Sequence, residues 1–154
     1  MRLAVLHGPN LNRLGRRQPE KYGTATLDDI VRDVDDTAER LGVTASHFQS
    51  NYEGALVEWI HDQCAEIDGI VINPAGFSAY GYSLLDALRD TGHPFAVVHI
   101  SQWHAFDGKD RTDIFAGSAA IYLSGAGWRG YSLALEGLVH KLRNAGHDSG
   151  FAHR

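Results

Sequence analysis

An α/β sandwich built on a parallel sheet is the fold class this sequence predicts, and two observations predict it. Short apolar runs rich in β-branched residues alternate with longer segments whose apolar positions recur at helical spacing. Parallel strands need crossover helices and are covered on both faces, so the alternation reads as βα units wound about one sheet. At 154 residues the chain fits a single domain, which at roughly this size hides about 70% of its unfolded surface without disulfide staples.

The strands read as Arg2 to His7, Val43 to Gln49, Gly69 to Asn73, Phe95 to His99 and Ala119 to Ser124, and five of them give a flavodoxin-like three-layer sandwich. The first helix should follow Thr26, whose hydroxyl can cap the run Leu27, Ile30, Val31, Val34, Ala38, Leu41. Asp28 and Asp29 favour its positive end, and Gly42 stops it. Leu56, Trp59, Ile60 and Cys64 mark a second helix. Leu84, Leu85 and Leu88 mark a third that ends near Gly92-His93-Pro94, and Tyr131, Leu135, Leu138, Val139 and Leu142 mark the last. Ser101 to Gly117 is a polar loop. The domain is expected to span 1–143, with 144–154 a polar C-terminal tail.

Composition narrows the partners. A net charge of −5 with scattered lysines and arginines lacks the basic stripe of a nucleic-acid surface, and no apolar stretch approaches the length of a membrane span. The single cysteine, Cys64, cannot form an intrachain bridge and suits a core helix in a reducing compartment. The apolar run at the N-terminus is too short for a signal peptide and is broken by Gly8-Pro9, so a cytoplasmic location and a small-molecule partner are expected.

In open parallel sheets ligands bind beyond the carboxyl ends of the strands. The residues there are polar: His7 and the turn Gly8-Pro9-Asn10-Leu11-Asn12, then Asn73, then His99-Ile100-Ser101. Any one of them could merely cap a strand; their convergence on one edge marks a site. The segment Gly15 to Gly23 is long for a βα loop, glycine-hinged, and carries Arg16 and Arg17 ahead of Tyr22, which reads as a lid. A tyrosine titrating near ~10 becomes a usable base only where neighbouring cations favour its phenolate, and these arginines could supply them.

Other chemistries fit poorly. The first turn lacks both the Gly-Lys-Ser/Thr ending of a phosphate loop and the glycine spacing of a dinucleotide fold. His99 and His104 lie five apart with no third ligand at a metal-site spacing. Lys21, Lys109 and Lys141 are not at strand ends, where burial would activate an amine for a Schiff base, and Asn73 stands where a phosphoacceptor fold would need an aspartate. No cofactor and no metal are expected.

The run from Leu6 to Gly23, with His7-Gly8-Pro9-Asn10-Leu11-Asn12 and Arg16-Arg17-Gln18-Pro19-Glu20-Lys21-Tyr22, resembles the opening signature of type II 3-dehydroquinate dehydratases. Gln49-Ser50-Asn51-Tyr52-Glu53-Gly54 resembles their second. Ile72-Asn73-Pro74, Asp86-Ala87-Leu88, Val98-His99-Ile100-Ser101, His104-Ala105 and Gly125 to Tyr131 follow in family order, so the resemblance covers residues 2 to about 142. It implies dehydration of 3-dehydroquinate to 3-dehydroshikimate by anti elimination through an enolate, without imine or metal. By the same resemblance Tyr22 is the base, Arg17 activates it, Asn10 stabilises the enolate with a water, and His99 protonates the departing hydroxyl. Asn73, Ile100 and Ser101 bind substrate. Asp86 reaches a neighbouring subunit's site within trimers that assemble into dodecamers.

Four positions depart from the family pattern. Ala79 replaces a hydroxyl-binding histidine, Val97 a glutamate that orients the catalytic histidine, and Phe106 and Asp110 two arginines. Loss of the glutamate is expected to weaken His99 as an acid. Arg111 and Tyr80, each one residue from a lost group, could restore a donor, so Arg111 joins the expected substrate binders. Two further readings stay open: a related, less polar or amino-bearing cyclic hydroxy-ketone as substrate, and a catalytically weak binding or scaffold homologue.

Overall fold

The computed structural model describes residues 1–145. Its strands β1 (Arg2–His7), β2 (Thr44–Gln49), β3 (Gly69–Asn73), β4 (Phe95–His99) and β5 (Ile121–Ser124) are all parallel and lie in the order β2-β1-β3-β4-β5. The helical segments are α1 (Pro19–Tyr22), α2 (Leu27–Leu41), α3 (Glu53–Gln63), α4 (Tyr82–Asp90), α5 (Trp103–Phe106) and α6 (Gly130–Arg143). The three-layer α/β expectation therefore holds.

Alternation along the strands feeds two cores. Leu3, Val5, Val71, Ala96 and Val98 pack against Ile30 and Val34 of α2 and Leu135 and Leu138 of α6. Ala4, Leu6, Ile70, Ile72, Phe95 and Val97 face Leu56 and Ile60 of α3 and Leu84 and Leu88 of α4. Burying one such side chain is worth roughly 1.5–3 kcal/mol, so these two layers fix the positions of the strand ends on which the site depends.

Local chemistry sets the boundaries. The Thr26 hydroxyl accepts from the Asp29 amide at 3.2 Å, and the Asp29 carboxylate accepts from the Thr26 amide at 2.9 Å, a reciprocal cap that starts α2. Gly42, at φ 68°, ends it. β2 starts one residue later than predicted because the Val43 amide is spent on Ala38 O at 2.9 Å in closing that helix. β5 starts later because the Ala119 amide turns back to Phe115 O at 3.1 Å. Cys64 is not in a core helix as expected: it follows α3 in a short 3₁₀ turn and is half-buried. The polar loop is ordered by α5, by a 3₁₀ turn over Asp107–Lys109 and by Phe115, which is fully buried. Of the predicted tail, 146–154 lies outside the described residues.

The strand order positions a site. The chain leaves β1 toward β2 on one side and β3 toward β4 on the other, so β1 and β3 flank the switch point, and a crevice opens beyond their carboxyl ends.

Candidate active site

A cavity of about 350 Å³ occupies that crevice. Its wall includes Asn10, Arg17 and Tyr22 from the first loop, Asn73 from the end of β3, His99, Ile100 and Ser101 from the end of β4, and Arg111 from the β4–β5 connection. Eight of the nine residues singled out from sequence are thus brought together. The ninth, Asp86, lies on the exposed face of α4, its side chain 76% accessible and 3.9 Å from Arg89, and does not line this chain's cavity.

The first loop is held from two directions. Gly8 lies so close to β3 that an added Cβ would meet Pro74 O at 2.5 Å, and its amide donates to Asn73 O at 2.8 Å. The Asn10 amide donates to the Asn51 side chain at 2.8 Å, which also accepts from Gln49 Nε2 at 3.1 Å. The second signature, Gln49 to Glu53, therefore works as a buttress: Glu53 Oε1 accepts from the Leu84 amide at 3.0 Å at the start of α4. Among the described residues, the non-glycine positions with positive φ are Asn10 (67°), Gln18 (39°) and Ala75 (48°), and all three line the cavity. Left-handed backbone costs an L-residue roughly 1–2 kcal/mol, and such strain collects at sites where the surrounding structure holds it.

The lid segment turns into α1 between Gly15 and Gly23, both at positive φ, and carries Tyr22 to the mouth. The Arg17 guanidinium carbon lies 5.4 Å from the Tyr22 ring centroid, and Lys21 Nζ 5.0 Å from it. Lys21 also bridges Asp107 at 3.3 Å. Partial burial opposes the Lys21 charge, but hydrogen bonding and charge attraction to Tyr22, and then Asp107, outweigh it and hold the ammonium above the ordinary lysine range. Arg16 is exposed and outside the cavity wall, so the cations beside Tyr22 are Arg17 and Lys21. The pairing of Lys21 with Tyr22 was missed because adjacent residues need not share a face until a helical turn folds them together.

Across the cavity, His99 is buried between Trp103 and Tyr122, whose ring centroids lie 5.8 and 5.7 Å away. Its Nε2 meets Asp113 Oδ2 at 2.6 Å, with side chains 6% and 2% exposed. The expectation that His99 lacks a carboxylate partner is therefore overturned. Asp113 was missed because sequence spacing ties it to no strand end; the anchoring pair Ile114-Phe115 behind it was the available signal.

The remaining departures fall outside the cavity wall. Ala79 and Asp110 do not line it, Phe106 is 52% exposed, and Tyr80, at 67% exposed, supplies no replacement donor. Ser78, beside Ala79 and 2% exposed, does line it. Arg111, next to the position of the lost arginine, lines the cavity. His7 closes β1 but sits beneath the cavity and does not line it. The pocket thus presents Arg17, Lys21 and Arg111 against one carboxylate, Asp107, with amides and hydroxyls between them. That charge balance suits an anionic, hydroxylated ligand.

Comparison with known proteins gives concordant matches. The family model described as dehydroquinase class II matches residues 1–139. A 3-dehydroquinate dehydratase of Psychromonas ingrahamii is 45% identical over 94% of this chain and 97% of its own length. One from Roseiflexus castenholzii is 43% identical over 90% of this chain and 88% of its own. The crystal structure of type II dehydroquinase from Propionibacterium acnes superposes with a TM-score of 0.84 at 35% identity, covering 90% of this chain and 96% of that one.

Proposed function

The chain belongs to the class II dehydroquinase family, and on that premise we propose that it dehydrates 3-dehydroquinate to 3-dehydroshikimate by acid-base elimination. The observation that carries this reading is the meeting of Tyr22, Arg17 and Asn10 with His99, Asn73 and Ser101 around one cavity.

Tyr22, with the Arg17 and Lys21 cations beside its ring, acts as the base: its oxygen takes the proton from the carbon beside the ketone and it ends the step as a phenol. The electron pair moves onto the carbonyl oxygen, and Asn10, fixed in the strained turn, donates toward that developing charge. The enolate collapses as His99 gives its proton to the departing hydroxyl, which leaves as water, and the product is a conjugated enone. The substrate carboxylate is met by Ser101 and the Ile100 backbone with Asn73 alongside, and Arg111 grips a second polar group. Solvent returns the proton balance to the starting state.

The less polar pocket expected from Ala79, Phe106 and Val97, and the charge reversal expected at Asp110, have no support in the cavity wall, which favours 3-dehydroquinate over a less polar or amino-bearing ring. Exposed Asp86 suits the reading of a trimer-based homo-oligomer, with twelve subunits as the expected assembly, and light scattering on the purified protein tests it. A cytoplasmic location belongs to the same reading; among the described residues no helix is long and apolar enough to cross a membrane.

The test is turnover of 3-dehydroquinate followed by the ultraviolet absorbance of the enone. Turnover lowered by roughly 10³-fold or more in both Tyr22→Phe and His99→Ala is expected. Binding of 3-dehydroquinate without enone formation by the unsubstituted protein would overturn the reading.

A further inference from the structure

Val97 leaves no carboxylate on β4 beneath His99, although β alternation puts positions 97 and 99 on the same face. The carboxylate comes instead from the β4–β5 connection. Asp113 Oδ2 accepts from His99 Nε2 at 2.6 Å and from the Tyr122 hydroxyl at 3.0 Å, while Oδ1 accepts from the Phe115 amide at 3.0 Å. The Phe115 amide is an obligatory donor, and with a carboxylate accepting on both oxygens the Tyr122 hydroxyl and His99 Nε2–H complete the set. Burial, and then the Asp113 charge, push the Tyr122 phenol upward, which keeps its proton available for donation.

The position of Asp113 does not depend on His99. Phe115 is fully buried in the core under α3 and α4, and the Ile114 amide donates to Ser78 O at 2.9 Å. These anchors hold the carboxylate in place whichever way the imidazole turns. With its Nε2–H committed to Asp113, the ring plane is set and Nδ1 is left for the cavity, where the second proton of the charged ring sits.

We propose that Asp113 is the positioning residue for His99, a carboxylate supplied from the β4–β5 connection that holds Nε2–H and presents Nδ1–H to the departing hydroxyl. The proton passes from Nδ1 to the hydroxyl oxygen as its bond to carbon breaks; the neutral ring that remains keeps its Nε2–H on Asp113. This rests on the reading of His99 as the acid of the dehydration.

The experiment is Asp113→Asn, alone and combined with Val97→Glu, assayed on 3-dehydroquinate and followed by ¹⁵N NMR of histidine-labelled protein. An asparagine puts an N–H₂ group against the Phe115 amide or against His99 and Tyr122, whichever way it turns, so the ring loses a charged partner held on both oxygens. The expected result is a kcat lowered by roughly 10²–10⁴-fold with KM changed by less than about threefold, since the substrate contacts remain. At least a tenfold recovery is expected in Val97→Glu/Asp113→Asn, because a glutamate there lies on the same strand face as His99; a purely structural loss would not be recovered. Wild-type spectra should show His99 with its proton on Nε2, a readout that stands even where Asp113→Asn fails to fold. A folded Asp113→Asn with unchanged kcat, or wild-type His99 with a proton-free Nε2, overturns the proposal. If His99→Ala keeps full turnover while the wild-type ring is still held through Nε2, the reading of His99 as acid has failed rather than the positioning geometry.

Discussion

His7 Nδ1 meets the Tyr131 hydroxyl at 3.1 Å beneath the cavity floor, and the side chain of Asn73, which does line the cavity, faces the same hydroxyl. Behind His7, its Nε2 faces His47 Nδ1 at 3.2 Å, and His47 Nε2 faces the Asp35 carboxylate at 2.9 Å. A carboxylate only accepts, so the proton on each ring is assigned in turn: His47 donates to Asp35, His7 to His47, and Tyr131 to His7. Asn73 Oδ1 accepts from the Ala75 amide at 3.0 Å, which leaves its amide nitrogen for Tyr131. Asn73 thus sits at the inner end of a line of groups running out to the protein surface.

Acid should unfold the protein through His7. Burial, and then the neighbouring His47, pull its pKa from 6.5 to about 3. The folded state therefore resists a proton that the unfolded chain accepts below about 6.5, so stability is complete above that pH and falls as pH drops toward the folded value. The slope for one proton is up to about 1.4 kcal/mol per pH unit. Thermal melts between pH 7 and 4 should show this decline in the wild type and a shallower one in His7→Gln. Parallel curves for the two proteins would remove His7 as the cause.

Tyr131→Phe removes the hydroxyl that bonds His7 and that the Asn73 side chain faces. Tyr131 is fully buried, and burial pushes its phenol upward, so the lost group is a protonated donor. Leaving buried partners unsatisfied costs roughly 1–3 kcal/mol, readable as a shift in urea midpoint at constant slope. With Asn73 freed, KM for 3-dehydroquinate should rise several-fold while kcat stays near the wild-type value. An unchanged KM would show that Asn73 keeps its orientation without Tyr131.

These two residues also show what sequence could and could not reveal. The strand ends were legible because apolar runs stop abruptly at polar residues, and β1, β3 and β4 fall where those runs end. His7 belonged to that pattern, yet strand alternation turns it toward Tyr131 of α6, and which helix covers which face is decided by packing across more than a hundred residues. Tyr22 and Arg17 were legible through the loop they share. Asp113 was not, because its partner lies in another segment and no local period connects them. The departures at Ala79, Phe106 and Asp110 looked costly only while their side chains were assumed to reach the cavity.

The cap of α2 gives a prediction confined to stability. Thr26→Ala removes the acceptor for the Asp29 amide and half of the reciprocal pair. A loss of about 1 kcal/mol is expected, readable by urea denaturation. Thr26 does not line the cavity, so kcat and KM should be unchanged.

Gly8 combines fold and site in one position. A Cβ there would lie 2.5 Å from Pro74 O and 2.8 Å from its carbonyl carbon, both backbone atoms that cannot swing away. Gly8→Ala must therefore separate the ends of β1 and β3, at a cost of roughly 1–3 kcal/mol. Because Asn10 and Asn73 lie on either side of that contact, activity should fall further than stability. A variant that loses stability but keeps wild-type kcat/KM would show that the two strand ends adjust without disturbing the cavity.

Arg111 and Asp110 separate two accounts of how the pocket grips its substrate. Aligned position by position, Asp110 takes the place of an arginine and substrate recognition should suffer; by geometry, Arg111 faces the cavity and Asp110 does not line it. A hydrogen bond to a charged group is worth roughly 1.5–3 kcal/mol, so Arg111→Ala should raise KM roughly 10- to 150-fold. The kcat should change much less, because in the proposed reading Arg111 grips a group of the substrate away from the reacting carbons. Asp110→Arg, by contrast, should leave both constants within about twofold, apart from a weak salt-dependent effect of added positive charge near the mouth. If Asp110→Arg improves KM tenfold or more while Arg111→Ala is silent, the connection is shifted by one residue relative to the geometry described, and position 110 holds the grip.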